Sequence, residues 1–205
     1  MALGMGGGWD MNEKAVSAAR DRLQRARTAV ADLEKGDKLP EIETAWWSFL
    51  LAAAGIYSKL EQGAKGNGKS EAWFGRIKHI RKKDPLLSYM HHARNSEEHS
   101  LEGSTARGVG LIALDKNVEI IETGHPKKLE MNIKNPKALR AGVPVAQAVF
   151  GIRLAPVSDS RFGDTFPVPI THLGQKLKDN TVAEVARVGL QYLESLVAEA
   201  ATLPK

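Results

Sequence analysis

Apolar residues recur every three or four positions at both ends of the chain, and this periodicity most constrains the fold. Over residues 12–35 the apolar side chains alternate with charged ones, and Gly36 follows the last of them. A repeat of three and four places one apolar stripe on a single face of an α-helix. We therefore predict an amphipathic helix that starts at Asn12 and packs its stripe against other helices.

Two further helices are predicted before residue 84. Pro40 begins a helix that extends to about Gln62, and its apolar residues, Trp46 among them, cover more than one face. Such a helix is buried on several sides, so we expect Trp46 in the core. The next helix is predicted from Ser70 to about Lys83.

The fourth predicted helix starts with Asp84 as its N-cap and extends to about Gly103. Pro85 suits the first helical position, because that position leaves its N–H unused. Apolar residues at helical spacing end at Ala93, and residues 94–99 read Arg-Asn-Ser-Glu-Glu-His. Where the stripe ends, the helix either faces solvent or forms a polar site.

Residues 104–179 change to short segments of β-strand character. Five such segments are predicted to be strands: residues 109–114, 118–122, 129–133, 145–157 (interrupted by Gly151) and 162–168. The first two flank Asp115-Lys116-Asn117, which predicts a hairpin. Thr181 and Glu184 then match a capping box that starts a last amphipathic helix.

These patterns predict an α+β protein that is mainly α. We expect a bundle of about five helices, with a small antiparallel β-sheet inserted before the last helix. The bundle comprises residues 12–103 and 180–203, the inserted β-rich subdomain residues 104–179, and a flexible tail residues 1–11.

Composition narrows the class of protein. The 205 residues include no cysteine, which excludes disulfides and thiolate metal sites and fits a cytoplasmic location. No apolar run has the length of a membrane span, and the N-terminus lacks the pattern of a secretory signal. His125 and His172 stand apart from acidic clusters, so we expect no metal and no cofactor.

Positive charge is concentrated between residues 63 and 107. Nine Lys and Arg stand there against five Asp and Glu, a local charge of +4 within a total of +5. A basic region suits a polyanion such as RNA, although a solvated helix face has the same composition. The basic residues predicted to contact RNA are Lys65, Lys69, Arg76, Lys78, Arg81, Lys82 and Lys83.

Residues 63–70 also match the phosphate-binding pattern G-x-x-x-x-G-K-[ST]. That pattern works when a buried strand leads into the loop and a helix leaves it. Here a long helix precedes the loop, and βαβ units are missing from the pattern. We therefore do not expect a nucleotide hydrolase.

The polar half of the fourth helix carries groups suited to phosphodiester chemistry. Asn95 and His99 are four residues apart and share a face, and the long side chain of Arg94 can reach the same groove. A histidine moves protons near neutral pH, and a guanidinium neutralises phosphate charge. His91 lies on the same face, either as a second proton-transfer or phosphate-contacting group or as a polar residue at a dimer seam.

Arg94-Asn95-x-x-x-His99 resembles the Arg-x(4–6)-His signature of the higher-eukaryote-and-prokaryote nucleotide-binding (HEPN) domain family. The resemblance implies a helical bundle and a metal-independent endoribonuclease of toxin–antitoxin or antiphage systems. It further implies a homodimer in which Arg94 and His99 line a cleft between the subunits and Asn95 orients the histidine or the phosphate. Products would carry 2′,3′-cyclic phosphate and 5′-hydroxyl ends.

Two functions therefore remain open from the sequence. One is an endoribonuclease that acts through Arg94, Asn95 and His99, with His91 as a possible auxiliary and an antitoxin or regulatory partner. The other is a catalytically inactive module that binds RNA, a nucleotide or a partner protein through the same groove.

Overall fold

The computed structural model describes residues 11–99, 104–122, 129–140, 142–159 and 164–203. These residues form five α-helices: α1 (Glu13–Lys35), α2 (Leu39–Ala64), α3 (Gly68–Lys83), α4 (Pro85–His99) and α5 (Val182–Thr202). Eight short β-strands lie between α4 and α5, which confirms the predicted α+β, mainly α fold class. No helix in the described ranges is long and apolar enough to cross a membrane.

Helices α1 and α2 form a tightly packed hairpin. The Asn12 side chain caps α1 by accepting hydrogen bonds from the N–H groups of Lys14 and Ala15, a role that the sequence analysis did not assign to it. A Cβ on Gly63 would overlap the Ala15 side chain, so this glycine allows the close approach of the two helices. The predicted N-terminal tail lies outside the described residues except for Met11, which is buried.

Helix α5 returns to the bundle and contacts both α1 and α3. Nε of Arg27 on α1 lies 2.8 Å from Oε1 of Glu194 on α5. Trp73 on α3 donates its indole N–H to Glu199 over 2.8 Å. The helices on either side of the β-rich segment therefore share one core, as the apolar stripes predicted.

At the start of α5, one of the two hydrogen bonds of the predicted capping box is present and the other is not. The Thr181 hydroxyl accepts the Glu184 N–H at 3.2 Å, as expected. The reciprocal contact is replaced, because the Thr181 N–H donates to Asp179 over 2.9 Å. The Glu184 carboxylate instead accepts hydrogen bonds from Arg187.

The β-rich segment contains four small antiparallel sheets of two strands each, within the described residues. The pairs are β1 (Thr105–Ala113) with β4 (Ala146–Leu154), β2 (Val118–Glu122) with β3 (Leu129–Ile133), β5 (Val157–Asp159) with β6 (Asp164–Phe166), and β7 (Thr171–His172) with β8 (Gln175–Lys176). A short 3₁₀-helix, Pro136–Ala138, precedes β4.

The predicted hairpin between residues 109–114 and 118–122 is wrong in its pairing. Both segments are strands, but β1 pairs with the distant β4 and β2 pairs with β3. The β1–β4 ladder runs from Thr105 to Ala113 and places Gly108 opposite Gly151. Gly151 therefore continues the strand instead of interrupting it. A ladder of this length satisfies more backbone groups than the shorter predicted hairpin.

Buried hydrogen bonds attach the first β-strand to the helices that precede it. The indole N–H of Trp46, a core residue as predicted, donates to the Ser104 hydroxyl over 2.8 Å. The Tyr89 hydroxyl on α4 donates to the Ala155 carbonyl over 2.6 Å. The Ala155 N–H in turn donates to the Ser104 carbonyl over 2.8 Å. The chain that leaves the end of α4 is therefore held against α2 and α4 at Ser104.

Candidate functional site

Helix α4 presents the predicted motif partly inside the molecule. Arg94 and Asn95 are half-buried, and Ser96 is only 8% exposed. Residues 94–96 therefore do not form an ordinary solvated helix face. The described part of α4 extends to His99, whose side chain lies outside the described residues, as does the predicted end of the helix near Gly103.

Arg94 and Asn95 contact each other directly. Nη1 of Arg94 donates to Oδ1 of Asn95 over 3.2 Å. This bond restricts the guanidinium, since a bonded side chain loses rotamers it would otherwise sample. The two residues are adjacent in the chain, and in the structure their side chains are joined by this hydrogen bond.

A small cavity of about 20 Å³ lies where α2, α3 and α4 meet. Its polar lining residues, among those described, are Tyr57, Arg81, His91 and Arg94. The Arg81 guanidinium carbon lies 4.6 Å from the centroid of the Tyr57 ring, a cation–π contact. Helix α3 thus supplies a second guanidinium to the region of Arg94.

His91 lines this cavity while part of its surface stays exposed to solvent, and its pKa lies below the ordinary value. Partial burial of the ring lowers the pKa of His91 to about 4, and the positive charges of Arg81 and Arg94 add to this effect. His92 acts in the same direction. A neutral imidazole beside two guanidinium groups can accept a proton or a hydrogen bond.

The β-rich segment covers another side of α4. The ring of His92 stacks on Phe166 of β6 with 3.4 Å between centroids and an 8° interplanar angle. His91 approaches His92 edge-on, with 5.1 Å between centroids. The inserted strands therefore support the helix that carries the motif.

A second polar cluster, at the N-terminal end of α4, was missed by sequence reasoning. Nδ1 of His172 lies 3.0 Å from Oδ1 of Asp84, whose side chain is only 3% exposed. His172, which stands alone in the sequence, is therefore paired with one acidic residue in the structure. These partners are 88 residues apart in the chain, so no local pattern could join them. The other expected lone histidine, His125, lies outside the described residues.

Asp84 is ionised within this cluster. Burial by itself raises the pKa of its carboxyl, but hydrogen bonds from His172 and from the N–H groups of Leu173 and Leu87 outweigh burial and lower it. The bond to Leu87 is the helix cap that the sequence predicted. Nearby, burial raises the pKa of both Tyr57 and Tyr192, so these phenols stay neutral.

The basic residues predicted to contact RNA differ in their surroundings. Arg81 is the member of this set that lines the small cavity among the described residues. Lys78 lies 3.2 Å from Glu61 and over the Phe74 ring, so its charge is partly neutralised. The remaining members are exposed: Lys65, Lys69, Arg76, Lys82 and Lys83.

The loop that matches the phosphate-binding pattern has a different structure. Helix α2 leads into it and α3 leaves it, which confirms the predicted helical context. Asn67 caps α3 by accepting the N–H groups of Lys69 and Ser70, each over 3.1 Å. These N–H groups are therefore bonded inside the protein, whereas a phosphate-binding loop would direct them at a ligand.

A larger groove of about 840 Å³ runs between α1 and α2 and reaches Arg94. Its basic lining residues, among those described, are Arg22, Arg25, Lys59 and Arg94. Arg94 and Ala54 line both this groove and the small cavity, so the two spaces adjoin. Sequence reasoning missed the first three residues, because only helix packing brings α1 and α2 cations beside α4.

The described ranges contain no group of three His, Cys, Asp or Glu side chains placed to hold a metal ion. Comparison of the chain with protein-family models, with curated proteins and with solved structures finds no match. The site is therefore interpreted from its own residues and their chemistry.

Proposed function

We propose that this protein is a metal-independent endoribonuclease whose active site is built on the C-terminal half of α4. The observation that carries the proposal is the half-buried Arg94, which is bonded to Asn95 and lines a cavity with Arg81 and His91. Helix ends that merely face solvent do not gather two guanidinium groups and a neutral imidazole. Guanidinium groups bind phosphate oxygens, so a phosphodiester is the substrate group that the chemistry of these side chains favours.

The proposed reaction needs no metal or cofactor. His99 accepts the proton of a ribose 2′-hydroxyl, and the 2′-oxygen forms a bond to the adjacent phosphorus. The bond from phosphorus to the 5′-oxygen then breaks, and that oxygen takes up a proton. The products are a 2′,3′-cyclic phosphate and a 5′-hydroxyl.

Arg94 stabilises the phosphate as negative charge builds on its oxygens. Asn95 holds the Arg94 guanidinium, and Arg81 adds positive charge from α3. His91 is the auxiliary group: as a neutral imidazole it can accept a hydrogen bond from substrate.

The chemistry requires both a base and an acid, and each α4 offers one histidine of the motif. A symmetric homodimer that pairs two α4 helices supplies the second His99 from the other subunit. We propose this dimer as the active form. A cytoplasmic enzyme of this kind would need restraint by an antitoxin or another regulatory partner.

The test is cleavage of end-labelled RNA by the purified protein in excess EDTA. We expect cleavage by the unaltered chain, and a loss of about 100-fold or more in His99→Ala and in Arg94→Gln. Mass spectrometry of the fragments should identify cyclic phosphate ends. His79→Ala on α3 and Arg20→Gln on α1 are matched controls, because both residues are exposed and lie outside the site.

Cleavage that persists unchanged in both active-site variants, or that EDTA abolishes, would contradict the proposal. RNA binding without any cleavage would instead support the alternative of a catalytically inactive binding module.

A further inference from the structure

The α1–α2 groove has a basic half built from two different helices. Arg22 and Arg25 are three residues apart on α1, so they lie on one side of that helix. An added Cβ on Gly55 of α2 would lie 3.2 Å from Cδ of Arg22. The bare backbone at Gly55 therefore lets the Arg22 stem lie across α2. Lys59 follows one turn later on α2 and completes the basic half.

Basic and acidic residues are separated along the length of the groove. Its lining includes four basic residues and one acidic residue, Asp32, within the described part of the chain. Asp32 also lines a second depression of about 430 Å³, which continues toward the α1–α2 turn and includes Glu41. Positive charge is thus collected at the Arg94 end, and negative charge at the opposite end.

The groove residues Arg22, Arg25 and Lys59 have no acidic partner among the described residues, whereas an arginine elsewhere on the same hairpin has one. Arg27 of α1 lies 2.8 Å from Glu194 and is neutralised by it. Arg22 and Arg25 make no hydrogen bond or ion pair with other side chains in the described ranges. Lys59 donates to the side-chain amide oxygen of Gln62 over 3.3 Å, and this neutral partner leaves its charge in place. Cations without an acidic partner keep their charge available for an anion.

We propose that the basic half of this groove binds the phosphates of an RNA strand and leads that strand to Arg94. This inference rests on the proposed function, since it places the RNA that the site would cleave. Proteins that bind single strands without reading sequence use a basic groove that follows the phosphate backbone. Leu51, which is 41% exposed, supplies apolar surface in the groove.

The main RNA contact would then lie on the α1–α2 hairpin, whereas the sequence predicted it mainly on α3. Arg94 joins the two spaces, because it lines the groove and the small cavity alike. A strand in the groove therefore reaches the proposed cleavage site without crossing the α3 surface.

The test measures RNA binding in a His99→Ala background, so that cleavage does not interfere. Fluorescence anisotropy with a labelled single-stranded oligouridine is recorded over a series of salt concentrations. We expect the triple variant Arg22→Gln, Arg25→Gln, Lys59→Gln to lower affinity at least about tenfold. The slope of log K against log salt should become shallower by about 0.7 for each phosphate that the variant no longer neutralises.

Arg20→Gln is the matched control, because Arg20 is exposed on α1 and does not line the groove. Single variants of Arg25 and Lys59 give a second measurement should the triple variant fold poorly, as judged by thermal melting. Each should reduce the salt slope by itself.

Unchanged affinity and salt slope in folded variants would overturn the groove proposal, whether or not the chain cleaves RNA. A change in molecular mass by light scattering, with unchanged RNA affinity, would also overturn it and identify the groove as a contact between copies of this chain. Groove-dependent binding without cleavage would sustain this inference while the proposed ribonuclease activity failed.

Discussion

Helix α4 carries a polar cluster at its start and another in its C-terminal half, and the two clusters differ in the groups that they bring together. At its start, the buried Asp84 carboxylate contacts His172 and two backbone N–H groups. Further along, Arg81 and Arg94 bring positive charge to a cavity that also contains the neutral His91.

The cluster around Asp84 is of the kind that stabilises a fold, and the cluster around Arg94 is of the kind that binds a ligand. A buried charge whose partners are all supplied by the protein has little left to offer a ligand, and breaking it destabilises the fold. Like charges gathered at a cavity add nothing to stability, but they can stabilise an incoming anion. We therefore assign the Asp84 end of α4 to stability and the Arg94 end to function.

The largest expected effect comes from Asp84→Ala. This change leaves His172 and the Leu173 N–H without their carboxylate partner and removes the cap of α4, so we expect a loss of about 3–5 kcal/mol in the free energy of unfolding. Urea denaturation measures it, with the exposed Asp21→Ala on α1 as the control. A loss below about 1 kcal/mol would show that the cluster is not structural.

The contacts of Asp84 also predict that the protein loses stability in acid. Because the folded-state pKa of Asp84 is below its ordinary value of 3.8, its stabilising contribution is complete above that pH. It is lost as the pH falls below 3.8 and through the folded-state pKa. Denaturation between pH 5 and pH 3 should therefore cost the unaltered protein more stability than Asp84→Asn, which starts lower and changes less.

A smaller effect, also dependent on pH, is expected at the other end of α4. His91 titrates at a pKa of about 4 in the folded protein, against 6.5 when unfolded, so the unfolded chain binds more protons between these values. Stability should fall as the pH drops from 6.5 to 4. His91→Gln should reduce this dependence, whereas the exposed His79→Gln should retain it.

The smallest effect on stability is expected for Arg81→Gln. Loss of the cation–π contact with Tyr57 is offset by weaker repulsion of Arg94, so we expect a change of no more than about 1 kcal/mol. RNA cleavage or binding should nevertheless fall clearly, as measured with the labelled substrate. A large loss of stability with unchanged RNA binding would reverse the assignment of the two ends.

Local signals in the sequence were sufficient for the helices. Asp84 acts as the predicted cap of α4, and the apolar stripes of α1 and α5 face one core. Strand positions were also largely predictable, but their partners were not. Residues 109–114 pair with a strand more than 30 positions away, since register there depends on tertiary contacts.

In the candidate site, too, some features could be predicted from the sequence and others depended on how the helices pack. The sequence indicated Arg94, Asn95 and His91 as candidate site residues on one helix, but it did not predict the hydrogen bond between Arg94 and Asn95. The approach of Arg81 to His91, and the cations of the α1–α2 groove, required the packing of separate helices. Residue type marks a side chain as able to do chemistry, but its neighbours decide its charge state and its access.

By itself the sequence determined, to within about two residues, where the five helices begin and which faces of α1 and α5 are buried, because capping and apolar periodicity act within a few residues. Only the tertiary structure decided which polar groups meet, because contacts such as Asp84 with His172 join distant parts of the chain. It pairs the Asp84 carboxylate with His172 at the start of α4 and brings Arg81 to the cavity that Arg94 lines, and the proposed active site is built around that cavity.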